Sequence, residues 1–283
     1  MIYSTPEPWF MLSLIFAYKF PNIRNGYNPN FCQINFMRYL QKENISLDKV
    51  KNKIRNLALD FYSMSKISND QFFLDKTPRY YHIIDELIDI FPNSKFILLQ
   101  RNPLSVFASI LSYNFKGDWK ALINSDDRIC DLFIAPHAIL KHKNYRSNRC
   151  IYIKYEDLVE QPDIQMNKIF QFLGVKTPEN LCEYKINKKF LNSNSVDKKS
   201  LHKHSIPVSK YLYSWKKSIN TMMLKKCAYN YLSILGENTI TNLEYSFDQI
   251  LYDLSTHKVK FSLGLFFNSK FFDKSKIHNL LSK

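Results

Sequence analysis

The chain has 283 residues, 45% of them hydrophobic and 15% aromatic, enough to bury one sizeable core in an enzyme-sized domain. Lys and Arg outnumber Asp and Glu by 40 to 25, and the net charge of +15 favours polyanionic partners such as nucleotides, anionic glycans, nucleic acid or lipid head groups without choosing among them. The five cysteines, Cys32, Cys130, Cys150, Cys182 and Cys227, are widely spaced, odd in number and free of any Cys-x-x-Cys, so they suggest neither a zinc site nor a full disulfide framework, and a reducing compartment is expected.

The first apolar run, Trp9 to Tyr18, is too short to span a bilayer. It follows Glu7 and has no basic segment before it, so it reads as a core element and not as a signal peptide. With no transmembrane candidate elsewhere, a cytoplasmic location is expected. Residues 45 to 67 carry Ile45, Leu47, Val50, Ile54, Leu57, Ala58, Phe61, Tyr62 and Met64 at three- and four-residue intervals, the period of an amphipathic helix packed on a sheet. A short apolar run, Phe72 to Leu74, leads into Lys76-Thr77-Pro78, where the proline suits the first turn of a helix because its missing N–H costs nothing there. That helix shows Tyr80, Ile83, Ile84, Leu87 and Phe91 on one stripe and ends near Pro92-Asn93.

Phe96-Ile97-Leu98-Leu99 is an uninterrupted apolar run that predicts a strand buried on both faces, and Asn102-Pro103 reads as the N-cap and first position of the next helix. A further strand over Cys150 to Lys154 leads through Tyr155-Glu156-Asp157-Leu158 to a helix that starts at Pro162 and closes at Gly174. Strands alternating with helices predict a parallel sheet in an α/β fold. Residues 192 to 210 are polar and basic and read as a surface loop, residues 211 to 235 as one helix stopped by Gly236, and residues 247 to 283 as an aromatic and basic stretch without a motif.

Three stretches carry chemistry. Arg101 stands at the C-terminal end of a predicted parallel strand, where ligands bind in open α/β sheets, and the following helix points its N-terminal N–H groups at the same crevice. An arginine fork there suits phosphate oxygens, and Ser109 lies two turns along, on the face of Ser105 and Ser112. Lys76, in Asp75-Lys76-Thr77-Pro78, stands at the end of the preceding strand, placed to neutralise charge on a leaving oxygen. Glu7, held between Pro6 and Pro8, is the candidate general base for an acceptor hydroxyl.

Taken in order, Phe73-Leu74-Asp75-Lys76-Thr77-Pro78-Arg79-Tyr80, Phe91-Pro92-Asn93-Ser94-Lys95-Phe96-Ile97, and Arg101-Asn102-Pro103 with Ser109 resemble the superfamily of sulfotransferases that use 3′-phosphoadenosine 5′-phosphosulfate (PAPS), especially its bacterial, Golgi carbohydrate and tyrosylprotein branches. The resemblance runs over residues 1 to 236 and sets residues 237 to 283 apart as a basic, aromatic-rich extension. It implies a P-loop-type three-layer α/β fold with a central parallel sheet flanked by helices, whose first strand and glycine-containing P-loop, of the type Pro-Arg-Ser-Gly-Ser-Thr, are missing ahead of Met1. It also implies sulfuryl transfer from PAPS to a hydroxyl or amine of a glycan, protein tyrosine or small molecule, with no metal. Carried over residue by residue, Arg101 and Ser109 bind the 3′-phosphate, Lys76 contacts the transferring sulfuryl group and Glu7 is the base. Tyr155 matches a tyrosine beside the adenine, while Lys203, Ser209 and Lys216 fall in the late loop that closes over the nucleotide. Two other classes stay open from the residues alone. One is an inactive fragment or pseudoenzyme with residual nucleotide binding; the other is a nucleic-acid or anionic-membrane binding protein, prompted by the charge and by Phe261, Phe266, Phe267, Phe271 and Phe272. A P-loop kinase is disfavoured, since no Walker lysine motif is present.

Overall fold

The computed structural model describes residues 2–4, 9–16, 18, 29–65, 72–143, 148–179, 181, 207–260 and 271–281. By contacts the chain divides into one unit of residues 1–94 with 186–199 and a second of residues 95–185 with 200–283. Each has parallel strands and covering helices, the mixed α/β organisation that the strand and helix alternation predicts.

In the first unit, β1 (Ile2–Ser4) runs parallel to β2 (Phe72–Leu74), with Ile2 opposite Phe72 and Ser4 opposite Leu74. Between them in sequence come α1 (Phe10–Phe16), α2 (Pro29–Lys42) and α3 (Leu47–Ser65), and after β2 a 3-10 turn at Pro78–His82 leads into α4 (Ile84–Ile90). The apolar run that starts at Trp9 is a core element as expected: Met11, Leu12 and Ile15 of α1 are buried. Phe10 packs on Phe61 and Tyr62 of α3, and Tyr62 stacks on Phe73 of β2 at 4.4 Å between ring centroids. The single helix predicted from Tyr80 to Phe91 is instead a 3-10 turn and a short α-helix with a break at Ile83 (φ −137°, ψ 23°). Pro78 starts the chain in a tight turn, and the buried Ile83, Ile84, Leu87 and Ile90 align only after the break.

In the second unit, β3 (Phe96–Gln100) runs parallel to β4 (Cys150–Lys154) in register, Phe96 opposite Cys150 and Gln100 opposite Lys154. Parallel pairing forces a crossover, supplied by α5 (Pro103–Phe115), α6 (Trp119–Ile123), α7 (Asp126–Ile129), a π turn at Cys130–Ile134, and α8 (Ala135–Lys143). The expectation that β3 is buried on both faces needs correction. Leu98 and Gln100 are buried, whereas Leu99, which alternation turns to the other face, is 50% exposed. Apolar sequence alone does not tell which face the surrounding chain covers.

After β4 come α9 (Tyr155–Glu160) and α10 (Pro162–Leu173), which ends as predicted at Gly174 in the left-handed region (φ 76°), open to glycine without strain. The helix predicted over residues 211 to 235 is two helices, α11 (Trp215–Ser218) and α12 (Met222–Leu235). Ile219 leaves helical angles (φ −91°, ψ 75°), and Asn220 and Met222 bond instead to the backbone of Lys260, while Thr221 caps α12 through the Leu224 N–H. Then follow α13 (Glu237–Asn242), α14 (Phe247–Thr256) and α15 (Lys274–Leu281).

The core of this unit is continuous from Leu104 to Ile277. Phe272 meets Phe133 at 5.3 Å and Phe107 at 6.4 Å, and Tyr231 stacks on Phe107 at 5.3 Å. Ile240, Leu243, Tyr245, Ile250, Leu254 and Ile277 are buried in the same cluster. Of the five tail phenylalanines, Phe272 is a core residue and Phe271 packs at a tilt against Trp119, while Phe261, Phe266 and Phe267 lie outside the described residues. No helix among the described residues is long and apolar enough to cross a membrane.

Candidate active site

The second unit brings five of the predicted site residues onto elements that pack on one another. Arg101 follows β3 directly, at the strand's C-terminal end. Asn102 caps α5 by accepting from the Ser105 N–H at 3.3 Å, and Pro103 takes the first helical position, where its missing N–H costs nothing. Ser109 is exposed two turns along α5. Ser105, predicted on the same face, is buried, and its hydroxyl donates to the Leu212 carbonyl. That bond joins the start of α5 to the turn Ser209–Tyr211, which also packs against α9, and α11 packs along α5. Ser209 and Lys216 are exposed on these two segments, the lysine ammonium lying 5.3 Å from the Tyr213 ring and 5.7 Å from the Trp215 ring.

Arg101 and Tyr155 meet directly. The guanidinium carbon lies 4.7 Å from the Tyr155 ring centroid, a cation–π stack formed because β3 and β4 end side by side in register. Arg101 Nε is buried and has no hydrogen-bond partner among the described residues. A buried, partnerless donor on a permanent cation is costly unless something anionic completes it. A phosphate oxygen suits this donor in charge and in geometry, since a guanidinium presents its donors in a planar fork.

The peptide that joins Arg101 to Asn102 is held from both sides. Its carbonyl accepts from the side-chain amide of the buried Gln100 at 2.8 Å, and its N–H donates to Glu156 Oε1 at 3.0 Å. The other carboxylate oxygen of Glu156 accepts from the Tyr245 hydroxyl at 2.6 Å. Burial first, and the Glu156 carboxylate next, push the Tyr245 phenol well above its ordinary range, so it stays a donor. Gln100, Glu156 and Tyr245 were not among the sequence candidates. Glu156 sits inside a quoted motif, but Tyr245 meets it from 89 residues away, and no local pattern marks such a pair.

Lys76 belongs to the first unit, exposed just after β2. Its turn is organised by Asp75. Asp75 Oδ2 accepts from Tyr62 at 2.6 Å and Tyr80 at 2.8 Å, and Oδ1 accepts from the Thr77 hydroxyl at 3.1 Å. Both tyrosines are pushed above the ordinary phenol range, by burial first and by the charge of Asp75 next. The backbone on either side of Lys76 is thereby pinned. Glu7 and Lys203 lie outside the described residues. No cluster of three or more His, Cys, Asp or Glu able to hold a metal occurs among the described residues.

Comparison with known proteins follows the same outline. Residues 2–179 match the model described as the sulfotransferase family. The nodulation protein NoeE of Sinorhizobium fredii is 25% identical over 197 residues, covering 61% of this chain and 44% of that protein, so the chain spans less than half the length of this curated relative. The sulfotransferase domain from the curacin biosynthetic pathway aligns at 18% identity with a TM-score of 0.50, over 87% of this chain and 98% of that one, a likeness of fold. The sulfotransferase domain from the Synechococcus PCC 7002 olefin synthase aligns at 20% identity with a TM-score of 0.46, over 68% of this chain and 64% of that one.

Proposed function

The chain belongs to the sulfotransferase family, and from that premise we propose that it transfers a sulfuryl group from PAPS to a hydroxyl or amine acceptor, with Arg101 and Ser109 holding the donor's 3′-phosphate. The observation that carries this reading is the Arg101 guanidinium at the end of a parallel strand, stacked on Tyr155 and with a buried Nε that has no hydrogen-bond partner among the described residues. When bound, the donor supplies a sulfuryl group already activated by its phosphate leaving group. Arg101 binds the 3′-phosphate by charge-assisted hydrogen bonds, and the N-terminal N–H groups of α5 add a partial positive charge on the same side. Ser109, on the exposed face of α5, adds a neutral donor. Tyr155 has one face covered by Arg101 and offers the rest of its ring for the adenine.

In this reading Ser209, Lys216 and Lys203 close over the nucleotide, the two lysines holding it by their positive charge and the serine by its hydroxyl. Lys76 steadies charge that builds on the leaving oxygen, in a turn that Asp75 keeps rigid. Glu7 takes the acceptor proton as the new S–O or S–N bond forms and the bond from sulfur to the phosphate oxygen breaks. Adenosine 3′,5′-bisphosphate is left. Glycan, protein tyrosine and small-molecule acceptors share the required hydroxyl or amine chemistry. The deciding experiment compares binding of adenosine 3′,5′-bisphosphate and adenosine 5′-phosphate to the wild-type chain and to Arg101→Ala. Preference for the bisphosphate that depends on Arg101 supports the reading; equal binding of both nucleotides by the wild type refutes it.

A further inference from the structure

We propose that the turn at Asn242–Tyr245, beyond the residues that match the family model, is part of the nucleotide site, where Tyr245 and Glu156 act as positioning residues for Arg101. The inference rests on the reading of Arg101 as the 3′-phosphate ligand.

The chain of contacts is short. Arg101 reaches its position through the Arg101–Asn102 peptide, and this peptide has one restraint on its carbonyl, from Gln100, and one on its N–H, from Glu156. A carboxylate is a strong acceptor, but a single glutamate on the first turn of α9 has several rotamers within reach. Tyr245 removes that freedom by binding the second oxygen at 2.6 Å. With both oxygens engaged, Glu156 is a brace for the backbone and not a base.

Tyr245, itself part of the buried core, is held in place by polar contacts to the turn that precedes it. Glu244 adopts a left-handed conformation (φ 64°), an uncommon one for a residue with a side chain, and closes a tight turn after α13. The Tyr152 hydroxyl of β4 donates to the Leu243 carbonyl at 3.0 Å, and Lys154 Nζ donates to the Glu244 carbonyl at 3.2 Å while lying 4.8 Å from the Tyr245 ring centroid. Lys143 of α8 pairs with the Glu244 carboxylate at 2.7 Å and donates to the Asn242 carbonyl at 2.8 Å. Three residues of the sheet and its crossover helix therefore clasp this one turn, and the clasp delivers the Tyr245 hydroxyl to Glu156.

The test uses the full chain and two nucleotides that differ only in the 3′-phosphate. Affinities for adenosine 3′,5′-bisphosphate and adenosine 5′-phosphate are measured by calorimetry for the wild type, Tyr245→Phe, Glu156→Ala and Glu156→Gln, with thermal unfolding of each. Tyr245→Phe and Glu156→Ala are expected to cut the preference for the bisphosphate about ten-fold, equivalent to ~1.4 kcal/mol, and to leave 5′-phosphate binding nearly unchanged. Glu156→Gln keeps an acceptor for the Asn102 N–H and an amide that the Tyr245 oxygen can accept from, so it should retain most of the preference. If both nucleotides weaken in parallel, or if Tyr245→Phe and Glu156→Ala keep the wild-type preference, the positioning role is wrong. If the wild type shows no preference at all, the 3′-phosphate reading of Arg101 fails, and this inference falls with it.

Discussion

Replacing Asp75 by alanine tests how the Lys76 turn is built. Asp75 accepts three hydroxyl hydrogen bonds, two of them short and from half-buried tyrosines, one of which, Tyr62, also packs on Phe10 and Phe73. Hydrogen bonds to a charged acceptor contribute about 1.5–3 kcal/mol each, but they are not additive, and the exposed share of the turn regains water. Counting the two tyrosine bonds at the lower end and discounting the Thr77 bond gives a loss of about 3 kcal/mol for Asp75→Ala. Asp75→Asn keeps one acceptor oxygen and should lose about half as much. Urea unfolding followed by tyrosine fluorescence and by circular dichroism reads these values directly. A change below about 0.5 kcal/mol for Asp75→Ala, the level of an ordinary surface substitution, would refute the claim that this carboxylate organises the turn.

Two further outcomes follow from the core and from the tyrosines. Deleting residues 237–283 removes Ile240, Leu243, Leu254, Phe272 and Ile277 from a cluster they share with Phe107, Phe133 and Tyr231. At about 2–5 kcal/mol for each large buried side chain, the loss is as large as the ~5–15 kcal/mol that holds a typical domain together, so the shortened chain should show no cooperative unfolding; a sharp transition at the wild-type midpoint would contradict this. Tyr62, Tyr80 and Tyr245 all have phenols raised by burial and by a carboxylate neighbour. The folded chain holds these protons more tightly than the unfolded one, so their stabilisation is complete below the unfolded value of about 10 and is lost as pH rises above it. Unfolding free energy should therefore decline from about pH 9 to about pH 11, with a shallower slope in Tyr62→Phe. A flat profile, or an identical slope in the variant, would count against it.

Much of the strand and helix order was legible because its signals are local. Short apolar runs such as Phe96 to Leu99 end at Asn-Pro or Lys-Thr-Pro punctuation, and the structure has β3, α5, β4 and α10 where those signals stand. Leu99 shows the limit, since an apolar side chain does not report whether the chain covers its face. The break at Ile219 escaped because the bonds that replace the helix come from Lys260, some forty residues on. The C-terminal helices carry no motif and earn their place through Phe272 and Ile277, which pack against residues of α5 and the π turn, far away in sequence. The same reason hid Tyr245. Arg101 was legible as a single residue, by its place after a strand, whereas its stack on Tyr155 and its clamped peptide depend on β3 and β4 lying in register.

The most direct test of the account is the affinity ratio between adenosine 3′,5′-bisphosphate and adenosine 5′-phosphate, measured for the wild type and for Arg101→Ala. The wild type should prefer the bisphosphate, and Arg101→Ala should lose about 10- to 100-fold of that preference, the worth of one or two charge-assisted hydrogen bonds. Arg101→Lys should recover little, because an ammonium keeps the charge but neither the fork nor the stack on Tyr155. An Arg101→Ala chain that still distinguishes the two nucleotides as the wild type does would show that the 3′-phosphate is read elsewhere.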